Sequence, residues 1–287
     1  MKYAFIRDNQ MHYPVLHLCE VLGVPPVNYY AWRKRPVCQR VQGNAHLDVH
    51  IQAVFAEHKG RYGSPRISEE LRRDHGKTCG DNRVAARMHA LGLHAKGKRK
   101  YKATTQSNHN LPVAPNRLEQ HFEADVPNQK WVSDITYVWT DEGWLYLAVV
   151  LDLYSRRVVG YALSPRIDRA LVIAALRMAL FRRKFPRGVI VHSDRGSQYC
   201  SADYQALLKE HGLICSMSKR GDCYDNAAME SWNHSYKVET IHGERFATRW
   251  QAEKNTTDYI DRYYNVKRRH STLGLRSPQD YELANAA

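Results

Sequence analysis

Three acidic residues in differently patterned stretches are where this sequence could do chemistry. They are Asp134 in W-V-S-D-I-T-Y, Asp194 in V-I-V-H-S-D-R-G-S-Q-Y and Glu230 in D-N-A-A-M-E-S-W-N, with 35 residues between the second and the third. A rigid site holding three carboxylates suits metal-assisted phosphoryl transfer. Magnesium takes oxygen ligands and keeps several waters, so a few carboxylates and a substrate's phosphate oxygens complete its shell. Two such ions about 3.5 to 4 Å apart can steady the attacking and leaving oxygens of an in-line displacement. Manganese accepts the same oxygen donors.

Three kinds of element must bring these acids together. Residues 131–139 are aromatic and β-branched, residues 143–151 are apolar, and Asp141-Glu142-Gly143 lies between, which reads as a hairpin with Asp134 inside its first strand. An acid is normally disfavoured there. Residues 188–192 form a short apolar run of buried-strand type, with Asp194 just beyond its end and Gly196 opening a turn. Open α/β sheets favour ligand sites at such strand ends. Glu230 falls in a helix predicted from about Asp225 to Glu239, whose Asn226, Glu230, His234 and Lys237 share one face. A third strand is predicted over 157–163, a helix capped by Asp168, a further helix over 201–212, a fifth strand over 213–217 and a polar loop over 218–226. Three antiparallel strands followed by alternating helix and strand define a mixed five-stranded α/β sheet flanked by helices, in the order of a ribonuclease H-like fold.

The strings W-V-S-D-I-T-Y (131–137), H-S-D-R-G-S-Q-Y (192–199), S-M-S-K-R-G-D-C-Y-D-N-A-A-M-E-S (216–231) and Y-N-V-K-R-R-H-S-T-L-G-L-R-S-P (264–278) carry a resemblance. The chain resembles insertion-sequence transposases of the DDE type, within the retroviral-integrase and ribonuclease H-like superfamily. More narrowly it is similar to the second-frame product of the large two-frame insertion-sequence family. The resemblance implies a DNA transposase that binds two magnesium ions, or manganese, through Asp134, Asp194 and Glu230. It cuts DNA at element ends and joins the freed 3′-hydroxyl to another phosphodiester. Lys237 matches the family's basic position and would hold the DNA end, while His192, Ser193, Gln198 and Asn226 would support the ligands. A first-frame partner or a frameshift fusion to it, and a homo-oligomer assembled on DNA, are also implied. The sequence departs from the commonest pattern at Trp232 and Tyr236, beside Glu230.

The charge distribution agrees with a polyanionic partner. The chain carries a formal +14, and residues 1–105 hold 19 Lys and Arg against 8 Asp and Glu. A first helix-turn-helix-like segment spans 1–43, with Asn28 as a candidate cap of its second helix, and a second helix-turn-helix module spans 44–102. Ser64-Pro65 opens one helix of that module and Asp81 caps another, on which Arg83 and Arg87 lie one turn apart as candidate DNA contacts. Lys98, Arg99 and Lys100 form a basic arm leading into a polar linker over 103–124. The catalytic core follows over 125–240 and a C-terminal helical segment over 241–287, where Arg268 and Arg269 suggest phosphate contact.

Six cysteines without a C-x-x-C pair argue for reduced thiols and against structural zinc. The charged start excludes a signal peptide and no apolar run reaches spanning length, so the expected place is the bacterial cytoplasm, on the nucleoid when bound to DNA. Two other classes fit the same residues. One is a ribonuclease H-like nuclease that only hydrolyses; the other is a catalytically silent DNA-binding regulator.

Overall fold

The structure, a computed structural model, describes residues 1–36, 38–97, 112–219 and 223–285. The basic arm at Lys98, Arg99 and Lys100 lies outside the described residues. At the N-terminus, α1 (Lys2–Asn9), α2 (Val15–Val21) and α3 (Pro26–Lys34) pack around Ile6, Leu18, Cys19 and Tyr29. Helix α3 starts two residues before the expected cap Asn28, because the fixed φ of Pro26 is already set for a first helical turn. Helix α4 (Gln39–Glu57) runs through the module boundary expected at residue 43. It joins α5 (Ser64–Asp74) and α6 (Asp81–Ala90) around Leu47, Ile51, Val54, Ile67, Leu71, Val84 and Met88. Asp81 does not cap α6, since Gly80 holds that place; its carboxylate instead accepts the Ser68 hydroxyl and ties α6 to α5.

The core sheet contains β1 (Lys130–Thr140), β2 (Gly143–Asp152), β3 (Val158–Ser164), β4 (Ile190–Ser193) and β5 (Ile214–Met217), in the order β3-β2-β1-β4-β5. The first three are antiparallel, while β1, β4 and β5 run parallel. Helices α7 (Arg169–Arg182) and α8 (Ala202–Glu210) cover one face, over Trp131, Ala148, Val150 and Val191. Asp168 caps α7 by accepting from the Leu171 amide at 3.1 Å, and Ser201 caps α8 through Tyr204. Gly160 on β3 makes the close seat of α7 possible, because a Cβ there would come within 2.2 Å of the Ala175 carbonyl oxygen.

The opposite face packs on α9 (Ala227–Tyr236), which continues as a π-helical turn over Lys237–Ile241, and on α10 (Arg249–Thr257), which continues likewise over Asp258–Tyr264. Trp232 and Tyr236 stack at 5.2 Å between ring centres, and the Tyr236 hydroxyl meets Thr256 at 2.7 Å. The two departures from the family pattern thus fill the layer between α9 and α10, each large buried side chain contributing about 1.5–3 kcal/mol. Helix α11 (Pro278–Ala284), capped by Ser277, closes the chain against the sheet edge through Glu282, which pairs with Arg157 and Arg183. Among the described residues no helix is long and apolar enough to cross a membrane.

Candidate active site

Strand register brings the first two carboxylates together. Val132 pairs with His192 across the parallel β1–β4 ladder. Two residues further along each chain lie Asp134, still within β1, and Asp194, just past the end of β4, near enough for the Asp194 charge to act on Asp134. The Asp134 carboxylate accepts from the Ile135 amide and from the Asn233 side-chain amide of α9, both at 2.8 Å. Asp194 accepts from the Gly196 amide at 2.9 Å in the turn that follows β4. Glu230 is exposed on α9, one turn before Asn233.

Electrostatics places the third acid in the same field. Burial, then the Asp194 carboxylate, and more weakly Glu230, push the Asp134 pKa up to about 7, against the opposing bonds from Ile135 and Asn233. Asn233, rather than Glu230, makes the direct contact with Asp134. Among the described residues no three His, Cys, Asp or Glu side chains close into a metal-holding cluster. The side chains of Asp134, Asp194 and Glu230 nonetheless offer only oxygen donors, the chemistry of hard divalent ions. Two side-chain oxygens nearby, Asn226 Oδ1 and Asn233 Oδ1, are buried with no protein hydrogen-bond partner among the described residues.

The four supporting residues occupy different layers. His192 is fully buried under the site, its ring bonded to Ser216 at 2.9 Å and to Ser218 at 3.2 Å. Burial lowers its pKa to about 4, so it is a neutral brace between β4 and β5, and the nearby Asp225 only partly offsets this. The Ser193 hydroxyl donates to the Asp194 carbonyl at 3.0 Å. Gln198 turns its Oε1 toward Gly196, where an added Cβ would meet both it and Asp194 Oδ1 at 3.0 Å. Asn226 is buried at the start of α9.

Two functional neighbours escaped the sequence reading. Asn233 is three residues past Glu230, and the expected helix face ran through His234 instead. Asp225 anchors the end of the 218–226 loop, accepting from Asn116 at 2.9 Å and from the Lys219 amide at 2.6 Å.

Most residues expected to touch DNA have other partners. The Lys237 ammonium is buried, donates to the Tyr137 carbonyl and lies 4.9 Å from the centre of the Tyr137 ring; burial lowers its pKa to about 8. Arg268 is buried against Glu239 at 2.7 Å, and Arg269 against Glu70 and Asp74, both at 2.5 Å. These two arginines clamp the C-terminal segment to α9 and α5, since a desolvated guanidinium takes the nearest carboxylate. Arg87 pairs with Asp48 at 2.6 Å and joins α6 to α4. Arg83 is exposed and donates to Asn44 at 3.0 Å, so of the described candidates it alone retains an open, DNA-accessible face.

Residues 124–223 match the integrase core domain family, residues 211–278 match a second integrase core domain description, and residues 42–101 match an HTH-like domain. Fold and site thus define an integrase-core protein with a helix-turn-helix-like domain ahead of the sheet. The chain is 50% identical over 289 residues to "Transposase InsF for insertion sequence IS3A" of Escherichia coli (strain K12), covering 100% of both chains. It belongs to the InsF transposase family of insertion sequence IS3 and is a DNA transposase. It is also 45% identical over 261 residues to "Insertion element IS600 uncharacterized 31 kDa protein" of Shigella sonnei, covering 91% of this chain and 96% of that one. Among solved structures it is similar to a simian T-cell lymphotropic virus intasome in complex with PP2A regulatory subunit B56 gamma, at 15% identity and TM-score 0.45 over 79% of this chain and 72% of that one. A further likeness is to the HTLV-2 integrase catalytic core domain in complex with magnesium (trimeric form), at 14% identity and TM-score 0.40 over 55% and 97%.

Proposed function

We propose that the chain cuts the ends of its insertion element and joins the freed 3′-hydroxyls to another phosphodiester, with Asp134, Asp194 and Glu230 as the ligand set for two magnesium ions. The observation that carries this reading is that the β1–β4 ladder ends at Val132–His192, two residues before Asp134 and Asp194, in a field that pushes Asp134 up to about 7. Carboxylates crowded in this way are relieved by a proton or by a bound cation, and a divalent ion suits the oxygen donors. When bound, the divalent ions supply activation of the attacking oxygen and charge neutralisation at the leaving one; manganese can substitute. Asp134 and Asp194 fix the two strand-borne ligands. Asn233 holds the Asp134 rotamer, and neutral His192 stiffens the strand end beneath Asp194. Glu230 completes the set from the helix side. No protein nucleophile takes part.

The HTH-like domain would bring element-end DNA to this cleft, with Arg83 as a surface contact. A first-frame partner protein, or a frameshift fusion to it, and a homo-oligomer on DNA would complete the assembly, in the cytoplasm on nucleoid DNA. The test is cleavage and strand transfer of element-end duplexes in magnesium. Asp134→Asn, Asp194→Asn and Glu230→Gln should each lower cleavage by at least about 100-fold, ~2.7 kcal/mol of barrier, with DNA affinity kept. Full cleavage by any of them would overturn the ligand set, and cut ends that are never joined would select the hydrolytic nuclease.

A further inference from the structure

A second charged cluster stands apart from the carboxylates, where the helical module, the core and the C-terminal segment meet. Its one anion is Glu239, in the π-helical turn after α9. Arg268 pairs with it at 2.7 Å, Arg66 of α5 reaches it at 3.8 Å, and Tyr259 donates to it at 2.8 Å. The Glu239 carbonyl accepts two more cations, Arg61 at 3.0 Å and Lys96 at 3.4 Å. From the core, the turn between β2 and β3 adds Arg156, whose own carbonyl accepts the Tyr264 hydroxyl at 3.0 Å. The Tyr264 and His270 rings lie 5.0 Å apart. Besides its burial, the guanidiniums of Arg268, Arg66 and Arg156 all act on the His270 ring and keep it neutral.

The charges here do not balance. Among the described residues, five cations gather around one carboxylate: Arg66 and Arg268 at the Glu239 side chain, Arg61 and Lys96 at its carbonyl, and Arg156 beside Tyr264 and His270. Neighbouring acids are engaged elsewhere: Glu70 and Asp74 hold Arg269, Glu57 holds Lys267, and Glu282 holds Arg157 and Arg183. Outside the described residues, 98–111 contain no acid and 220–222 contain one, Asp222. Arg156 has no carboxylate partner among the described residues, although its neighbour Arg157 does. Arg156 also sits at φ 57°, a left-handed conformation that costs a residue other than glycine about 1–2 kcal/mol. Strain of this kind at a half-buried cation is a pointer to function.

We propose that Arg66 and Arg156 bind a backbone phosphodiester of the DNA strand that leads away from the catalytic carboxylates. This rests on the transposase reading and locates a contact within it. Glu239 lies nine residues beyond Glu230, ~13 Å along the axis and about half a turn round it, so a strand reaching from the exposed carboxylate to this cluster spans roughly four or more steps of 3.4 Å. Because the two arginines come from different modules, one phosphate group there would report that the HTH-like domain is docked on the core. The Arg268–Glu239 pair beneath it is the fixed floor of the site.

The test uses the full chain carrying Asp194→Asn, so that binding is read without cutting, and an element-end duplex with single neutral methylphosphonates placed at each of the eight steps from the cleaved bond. One or two positions, at the fourth step or beyond, should weaken binding by about 10-fold, and that dependence should vanish in Arg66→Gln/Arg156→Gln. The slope of log affinity against log salt should fall by about one for the phosphate no longer neutralised, and Arg156→Lys should restore most of it. A phosphate scan that is flat from the third to the eighth step in the parent protein overturns the site even if the double variant cannot be folded. An unchanged salt slope in a folded double variant does the same. In both cases the transposase reading stands, provided the chain with Asp194 intact still cleaves; absence of cleavage there sinks both.

Discussion

Asp134 sits near pKa 7 in the folded chain, where its carboxylate is crowded by burial and by Asp194, against about 3.9 for an unfolded aspartate. The sign of the linkage follows. Stability from protonated Asp134 is fully present below about pH 4 and is lost as pH rises through about 7. Metal-free Asp134→Asn should therefore melt several degrees above the parent at pH 8, with the gap closing toward pH 4, and magnesium should narrow it by stabilising the parent alone. A variant that melts lower at pH 8 would contradict the crowding. Asn233 acts on the same carboxylate through its 2.8 Å bond. Asn233→Ala should slow cleavage about 10-fold while leaving DNA affinity unchanged, a loss of ~1.4 kcal/mol in single-turnover rate; weakened affinity with an unchanged rate would assign Asn233 to DNA instead.

The elements that hold these residues depend on a few close approaches. Gly160 is the sharpest, with the α7 backbone where its Cβ would be. Gly160→Ala should destabilise the core by about 3 kcal/mol, since neither a strand nor a helix backbone yields as a side chain would; chemical denaturation with an unchanged midpoint would show that α7 can ride outward. Much of this layer was legible in the sequence. The hairpin around Gly143, the Asp168 cap and all five strands follow from alternation, apolar runs and turn residues. What periodicity could not supply is which side of a helix faces the sheet. From Glu230, Asn233 lies about 60° to one side and His234 about 40° to the other, and only the packing of Trp232 and Tyr236 decides between them. The run Lys267-Arg268-Arg269-His270 misled for a related reason. Its carboxylate partners lie 29 and 199 residues earlier in the chain, so nothing local marks the arginines as internal.

At the scale of the whole molecule, those arginines join three modules into one body. Arg269 binds Glu70 and Asp74 of α5, Arg268 binds Glu239, and His58 stacks on Tyr62 at 3.8 Å within the same joint. Burial acts to raise the Glu70 pKa, but bonds with His58 and Arg269 outweigh it and hold the carboxyl at about 2. Its stabilising effect is present above about pH 4.5 and lost as pH falls toward 2. Glu70→Gln should cost about 2 kcal/mol at neutral pH, because Arg269 loses its more buried carboxylate while keeping Asp74, and should flatten the acid limb of the stability profile. Melting that keeps the parent's acid limb would mean the joint is held by packing alone. The joint matters because it fixes where the HTH-like domain sits against the core. At the sheet itself, the central claim is that acids from two strands and a helix share a pair of divalent ions. Manganese titration of the full chain on an element-end duplex, followed by electron paramagnetic resonance, counts those ions directly. Two ions should bind per active chain and at most one in Asp194→Asn; equal occupancy in the two proteins would contradict a shared pair held by these acids.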